Sequence, residues 1–209
     1  MPNVKVIRRN ENEYDLLTYK WYLDSSKESA DTVFCLNSSC RGPIGKEGRE
    51  WITHFQGVLS SADIVAPVFT FSIKETPQRP PFLHTYMFGM NRKGFQSFLQ
   101  TLNNHTSSKN VYDLERSITE DAIRAGLKVK SLLSRVSSVD LSNPDNWDPT
   151  VSGVDPIQTE FEAPGMYFGG DLDPREVVFF KNIRRQHAAR PAAYAGISKA
   201  NKEFIDSLV

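Results

Sequence analysis

Asn37-Ser38-Ser39, with Arg41 two residues on, is a short set of hydrogen-bonding side chains followed by a cation. Residues of these types can take an anion or the hydroxyls of a sugar. They follow the apolar run Val33-Phe-Cys-Leu36 and precede Gly42-Pro43, which forces a turn. A short apolar run bounded by turn residues reads as a buried strand. In open α/β sheets, ligands sit beyond the carboxyl ends of the strands. On these residues alone, a strand followed by an ordinary polar loop is the stronger alternative.

The elements that would position such a loop can be read along the chain. Val4, Val6 and Ile7 predict a first strand over residues 3–9, and residues 14–24 predict a helix with Leu16 and Leu23 on one face. The central strand, 32–36, leads through the polar loop to a helix over 46–59, with Trp51, Phe55, Val58 and Leu59 on one face. A strand over 64–66 ends at Pro67. Pro77-Gln-Arg-Pro-Pro81 is a loop, and residues 84–89 predict a strand. Helices follow over 92–102 and 113–126, the second stopped by Gly126, and then a strand over 128–133. Residues 137–164 are rich in Ser, Asp, Asn, Pro and Gly, a substrate-side loop or a surface linker. Asp173-Pro174 can start a short helix, and residues 191–209 finish in an amphipathic one. The alternation predicts one α/β domain with a mixed, mostly parallel sheet and helices on both faces. Its core spans about residues 3–185, and residues 186–209 form a tail that could lead to further domains.

Several stretches, in order, resemble one glycosyltransferase family. Leu36-Asn-Ser-Ser-Cys-Arg-Gly-Pro43 is similar to its LN-(D/S)-S-x-x-GP signature. Asn10, Asn12, Tyr14, Asp15 and Tyr19 resemble N-x-G-x-D-x-x-x-(Y/W) without the glycine, and Asp63 stands where the family has a diD strand. The stretch from Phe82 resembles x-Q-S-Y-F-x, with His84 for Gln and Thr85 for Ser. The helix from Asp113 resembles Y-E-x-x-(L/I)-(T/S)-x-x-(L/I)-x-x-A-G, which puts the family glutamate on Glu115 and its Ser/Thr on Thr119. Tyr167 to Arg185 resembles the closing segment Y-x-G-x-x-(L/I)-x-P-x-E-x-(V/I)-F-x-K-x-x-R. The family is the rhamnan synthesis protein F group with related plant, fungal and viral proteins, and the chain also resembles the small glycosyltransferase domains of chlorella viruses. The resemblance covers roughly residues 4–185.

What it implies is a GT-A fold that moves a sugar from a nucleotide-sugar, with a uridine diphosphate carrier favoured, to a glycan or glycoprotein acceptor. Arg8, Asn10, Tyr14, Asp15, Asn37, Ser38, Arg41 and Thr85 would bind the nucleotide-sugar. Glu115 and His84 would be catalytic, Glu115 beside the acceptor and His84 as a partner to sugar hydroxyls or a metal. A lone histidine beside a strand is more often structural. Lys181 and Arg184, near Arg185, would meet the leaving diphosphate, although an exposed basic tail accounts for them equally. Most such enzymes hold Mn²⁺ or Mg²⁺ on Asp-x-Asp. Asn37-Ser38-Ser39 stands in that place, which would make Ser39 the metal contact, and neutral oxygens are weak ligands for a hard dication. Glu120-Asp121 imitates an acidic pair, but solvated helix charges explain it as well.

The 209 residues carry 25 basic and 25 acidic side chains, for a formal net charge of zero. That balance implies no broad attraction to nucleic acid or an anionic membrane. Two cysteines make neither a disulfide framework nor a zinc site. No apolar run reaches the roughly 18 residues of a membrane span, and the start of the chain lacks a signal-peptide core. The expected location is the cytoplasm, of the host if the protein is viral. Walker, Gly-x-Gly-x-x-Gly and Gly-x-Ser-x-Gly patterns are missing, against kinase, dehydrogenase and hydrolase readings. The competing functions are a non-catalytic nucleotide- or sugar-binding module on the same fold, supported by the missing Asp-x-Asp, and an interaction domain using the C-terminal helix.

Overall fold

The computed structural model describes residues 15–25, 30–38, 40–45, 50–70, 80–105, 111–147 and 172–181. In chain order the elements are α1 (Asp15–Ser25), β1 (Thr32–Leu36), β2 (Cys40–Arg41), α2 (Glu50–Leu59), β3 (Ile64–Ala66), β4 (Phe69–Thr70), β5 (Phe82–Leu83), β6 (Met87–Asn91), α3 (Arg92–Asn104), α4 (Val111–Arg124), β7 (Val129–Ser131), α5 (Pro174–Val177) and β8 (Phe180–Lys181). Short 3-10 turns occupy Ser134–Val136 and Pro144–Trp147. The expected first strand and the expected C-terminal helix lie outside the described residues.

β1, β6, β3 and β7 form the main sheet in that order. β3 and β7 are parallel, whereas β6 runs antiparallel to both β1 and β3. Three of the four strands therefore point one way, as a mostly parallel sheet requires, but two of the three pairings are antiparallel. The reason is the route of the chain through residues 80–91. β5 pairs with β4 in a small separate hairpin, and residues 84–86 turn the chain into β6. The expected strand over 84–89 is thus shifted to Met87–Asn91, and His84 and Thr85 sit in the turn.

Alternation within the strands separates two apolar faces. Ile64, Ala66, Phe88, Met90 and Val129 point to the side covered by α1, α3 and α4, where Leu16, Phe98, Leu102, Leu114 and Ile118 are buried. Val65 and Met87 point to the other side, against Phe55 and Leu59 of α2. There Phe34, Trp51, Phe55 and Phe179 stack edge to face, with Phe34–Trp51 at 5.0 Å and Trp51–Phe179 at 5.1 Å between ring centroids. Such T-shaped aromatic contacts add to the area they bury. Helices therefore cover both faces. Among the described residues no helix is long and apolar enough to cross a membrane.

Helix boundaries follow local chemistry. Asn91 caps α3: its side chain accepts from the N–H of Gly94 at 3.0 Å. Gly126, at φ 75°, lets the chain leave α4 in the left-handed region. Pro174 opens α5, with Asp173 accepting from the N–H of Arg175 just before it.

Candidate functional site at the carboxyl edge of the sheet

β1, β3 and β7 end on the same edge of the main sheet, and β6 starts there. Asn37 leaves β1 at this edge. Its N–H donates to the Tyr86 carbonyl at 2.9 Å, and its carbonyl accepts from the N–H of Cys40 at 3.2 Å, closing a tight turn through exposed Ser38. Its amide nitrogen donates to Asp15 Oδ2 at 2.8 Å. Asp15 Oδ1 accepts from the N–H of Leu16 at 3.0 Å. The carboxylate that opens α1 therefore fixes the orientation of the Asn37 amide.

One turn further along α1, the Tyr19 hydroxyl is buried without a hydrogen-bond partner among the described residues. Its ring packs edge-on to Phe88 at 6.4 Å between centroids. Burial first, and then the nearby Cys35 and Asp15, raise the Tyr19 pKa, which keeps the phenol protonated. Tyr19 is a half-buried aromatic of α1 packed against the sheet.

Tyr86 joins this half of the edge to a second half. The residue before it, Thr85, is buried, and its hydroxyl donates to Glu115 Oε1. Glu115 sits on α4 one turn before Thr119, whose hydroxyl accepts from the N–H of Leu83 at 2.9 Å. α4 is thereby bound to β5 and to the turn that follows it. Arg116, between them in sequence, lies over the Phe82 ring at 5.3 Å. His84 is half-buried and held by several contacts. Its N–H donates to the Val68 carbonyl at 3.0 Å, and its Nε2 is 2.6 Å from Thr70 Oγ1. Its ring is stacked on Phe82 and edge-on to Tyr86. These contacts fix the ring at the rim of the edge, as either a structural or a sugar-facing histidine requires.

The C-terminal segment returns to the same edge. β8 pairs with β2, with Cys40 opposite Lys181 and Arg41 opposite Phe180. The N–H of Ile44 donates to the Val178 carbonyl at 2.7 Å, and Tyr86 Oη donates to the Phe179 carbonyl at 3.2 Å. Val178 has φ 64°, and the N–H of Phe179 reaches the Val177 carbonyl at 2.6 Å. A γ-turn with a β-branched residue at positive φ is strained, on the order of 1–3 kcal/mol. The bonds to Ile44 and Tyr86 hold it in place. Gly42 is required opposite, because a Cβ there would lie 2.5 Å from the Val178 carbonyl oxygen.

The structure thus brings Asp15, Asn37, Ser38, Thr85 and Glu115 to one edge, with His84 beside them and the backbone of Lys181 paired to the loop. Arg41 is exposed, and its Nη1 donates to the Cys40 carbonyl at 3.2 Å. Arg8, Asn10, Tyr14, Ser39 and Arg184 lie outside the described residues. Asp121 accepts from Thr101 Oγ1 at 2.9 Å and is 3.5 Å from His105 Nε2, and Glu120 is 3.8 Å from Arg124. Asp121 thus ties α4 to α3 and its C-terminal cap, while Glu120 pairs along α4. Thr70 and Tyr86 were not visible as site residues in the sequence: Thr70 is a lone hydroxyl in a two-residue strand, and Tyr86 reads as one more apolar strand position.

Asn37 and Ser38 offer only neutral oxygens, and the Asn37 amide nitrogen is committed to Asp15. Among the described residues, no group of three or more His, Cys, Asp or Glu is placed to hold a metal ion. The described part of this loop does not form a divalent-cation site by itself. Comparison with known proteins finds no matching family model, no similar curated protein and no similar solved structure.

Proposed function

We propose that the chain is a glycosyltransferase of the GT-A type, taking a uridine diphosphate sugar as donor and a glycan or glycoprotein hydroxyl as acceptor. One observation carries this reading: Tyr86 and its neighbour Thr85 link the Asn37–Asp15 pair to Glu115 at the carboxyl edge of the sheet. Ligands of open α/β sheets bind at that edge. In this reading, Asn37 and Ser38 contact the donor, with Asp15 orienting the Asn37 amide. Arg8, Asn10 and Tyr14 complete the base and ribose contacts. Glu115 accepts the proton of the acceptor hydroxyl, steadied by Thr85, and His84 lines the sugar side. Arg41, Lys181 and Arg184 offset charge on the departing diphosphate. Ser39 would be the protein contact to a Mn²⁺ or Mg²⁺ bound with the diphosphate, an ion that would supply positive charge against the leaving group.

The test is release of uridine diphosphate from a panel of uridine diphosphate sugars, with glycan acceptors. Stimulation by an acceptor is expected, and Glu115→Gln should lower transfer by roughly 10²-fold while nucleotide binding survives. Binding without turnover across the panel would favour the alternative, a nucleotide- or sugar-binding module. The neutral Asn37-Ser38 pair is the observation on that side. No nucleotide-induced stabilisation at all would sink both.

A further inference from the structure

A concavity of about 520 Å³ lies at the opposite edge of the sheet, where β1, β3 and β7 begin and β6 ends. It is separated from Asn37 by the length of β1, roughly 15 Å for five residues. Arg92, Lys93 and Lys128 line it, and all three are exposed. No ion pair is formed by any of them among the described residues. Lys130 adds a fourth cation at its margin, with Nζ 3.2 Å from Ser61 Oγ.

Two carboxylates share the lining, Asp31 and Asp63. Asp63 is committed to the fold: Oδ1 accepts from Asn91 Nδ2 at 2.9 Å, and Oδ2 accepts from the N–H of Lys128 at 2.9 Å. Asp31 is exposed on the rim. A third acid, Asp140, lies outside the lining, its carboxyl held low by its hydrogen bonds with Ser142 and then by the charges of Lys128 and Lys130. Within the lining three cations face two acids, and the remaining polar groups are hydroxyl and amide, from Ser60, Ser61 and Asn91.

The placement of Arg92 and Lys93 is itself informative. α3 has no acid in its first turn and no base in its last. Its two opening residues are instead cations at the positive end of the helix dipole, an arrangement that disfavours the empty helix. An anion seated there reverses that sign. The first turn is also pressed hard into the sheet, because Gly94 lets it approach Asp63 more closely than any side chain would allow.

We propose that this amino-edge concavity is a second site, which binds a phosphate-bearing small molecule with Arg92, Lys93 and Lys128 as partners of the phosphate. Its volume is in the range of small-ligand pockets. A phosphate monoester carries nearly two charges at neutral pH, which suits a concavity lined by three cations better than a single carboxylate would. The zero net charge of the chain argues against a polyanion spread over the whole surface.

The probes are inorganic phosphate and pyrophosphate, titrated at constant ionic strength with backbone amide shifts as the readout. Saturable shifts are expected at Lys93, Gly94 and Lys128. The double variant Arg92→Ala/Lys128→Ala should weaken them at least tenfold without lowering the unliganded melting temperature, since neither side chain packs in the core and Arg92 opposes the helix dipole. Arg41→Ala, at the other edge, should leave the shifts at Lys93, Gly94 and Lys128 as they are in the parent. Linear, non-saturating shifts spread over all basic residues, or equal affinity in the double variant, would overturn the proposal. Neither outcome bears on uridine diphosphate binding at Asn37, so the two sites can fail separately.

Discussion

Gly94→Ala tests how closely α3 is seated on the sheet. A Cβ at this position would lie 2.2 Å from the Asp63 carbonyl oxygen and 2.8 Å from Ile64 Cγ1. An ordinary carbon–oxygen approach is about 3.3 Å, so the first turn must move outward by about 1 Å. That movement strains the Asn91 cap, whose loss costs about 1 kcal/mol, and adds overpacking of about 1–3 kcal/mol. Alanine's better helix propensity returns about 1 kcal/mol. The net expectation is a loss of about 1–3 kcal/mol. With a urea slope of about 2 kcal/mol/M, the midpoint falls by about 0.5–1.5 M. Gly57→Ala is the control. Gly57 is in α2, and a Cβ added there would meet nothing within 4 Å, so the same change should stabilise by about 0.4–1 kcal/mol. Urea denaturation of both variants gives shifts of opposite sign. Equal shifts in the same direction would refute the packing argument, because propensity alone would then explain both.

Tyr86→Phe removes the bond to the Phe179 carbonyl and should cost about 1 kcal/mol by urea denaturation. Hydrogen exchange at the β2–β8 ladder should also quicken. Arg175 hydrogen-bonds Asp173 and holds its carboxyl below the usual aspartate range. Its folded pKa is depressed, so this contribution is present above the unfolded value, about 3.9, and is lost as the pH falls through the folded value. Asp173→Asn should flatten that part of the acid limb of a pH–stability curve, lowering stability slightly at neutral pH and leaving it unchanged below the folded pKa. Burial pushes the Cys35 thiol up to about 12. At pH 8 a thiol reagent should therefore leave Cys35 unmodified in the native protein and reach it only on unfolding, and rapid native labelling would contradict its burial.

Where one local rule dominates, the sequence reads well. The strands at 32–36 and 64–66, the α3 and α4 helices and the stop at Gly126 all rest on strong periodicity or on a residue with one structural use. The region from Phe82 to Met90 does not, because a continuous apolar run carries no signal for where pairing switches from β4 to the main sheet. That switch puts His84 and Thr85 in a turn and inserts an antiparallel strand. Asn37 and Glu115 could be singled out from the sequence, but their link through the Thr85-Tyr86 peptide is tertiary. The cationic concavity was also hidden, since Arg92, Lys93 and Lys128 meet only when β6 and β7 flank β3.

Donor binding at the carboxyl edge is tested most directly by an amide-shift map of the protein titrated with uridine diphosphate in the presence of Mg²⁺. Saturable shifts are expected at Asn37, Ser38 and Thr85, and they should be lost in Asp15→Ala, which releases the Asn37 amide. Saturable shifts confined to Arg92, Lys93 and Gly94, or no binding, would contradict the assignment of this edge as the donor site.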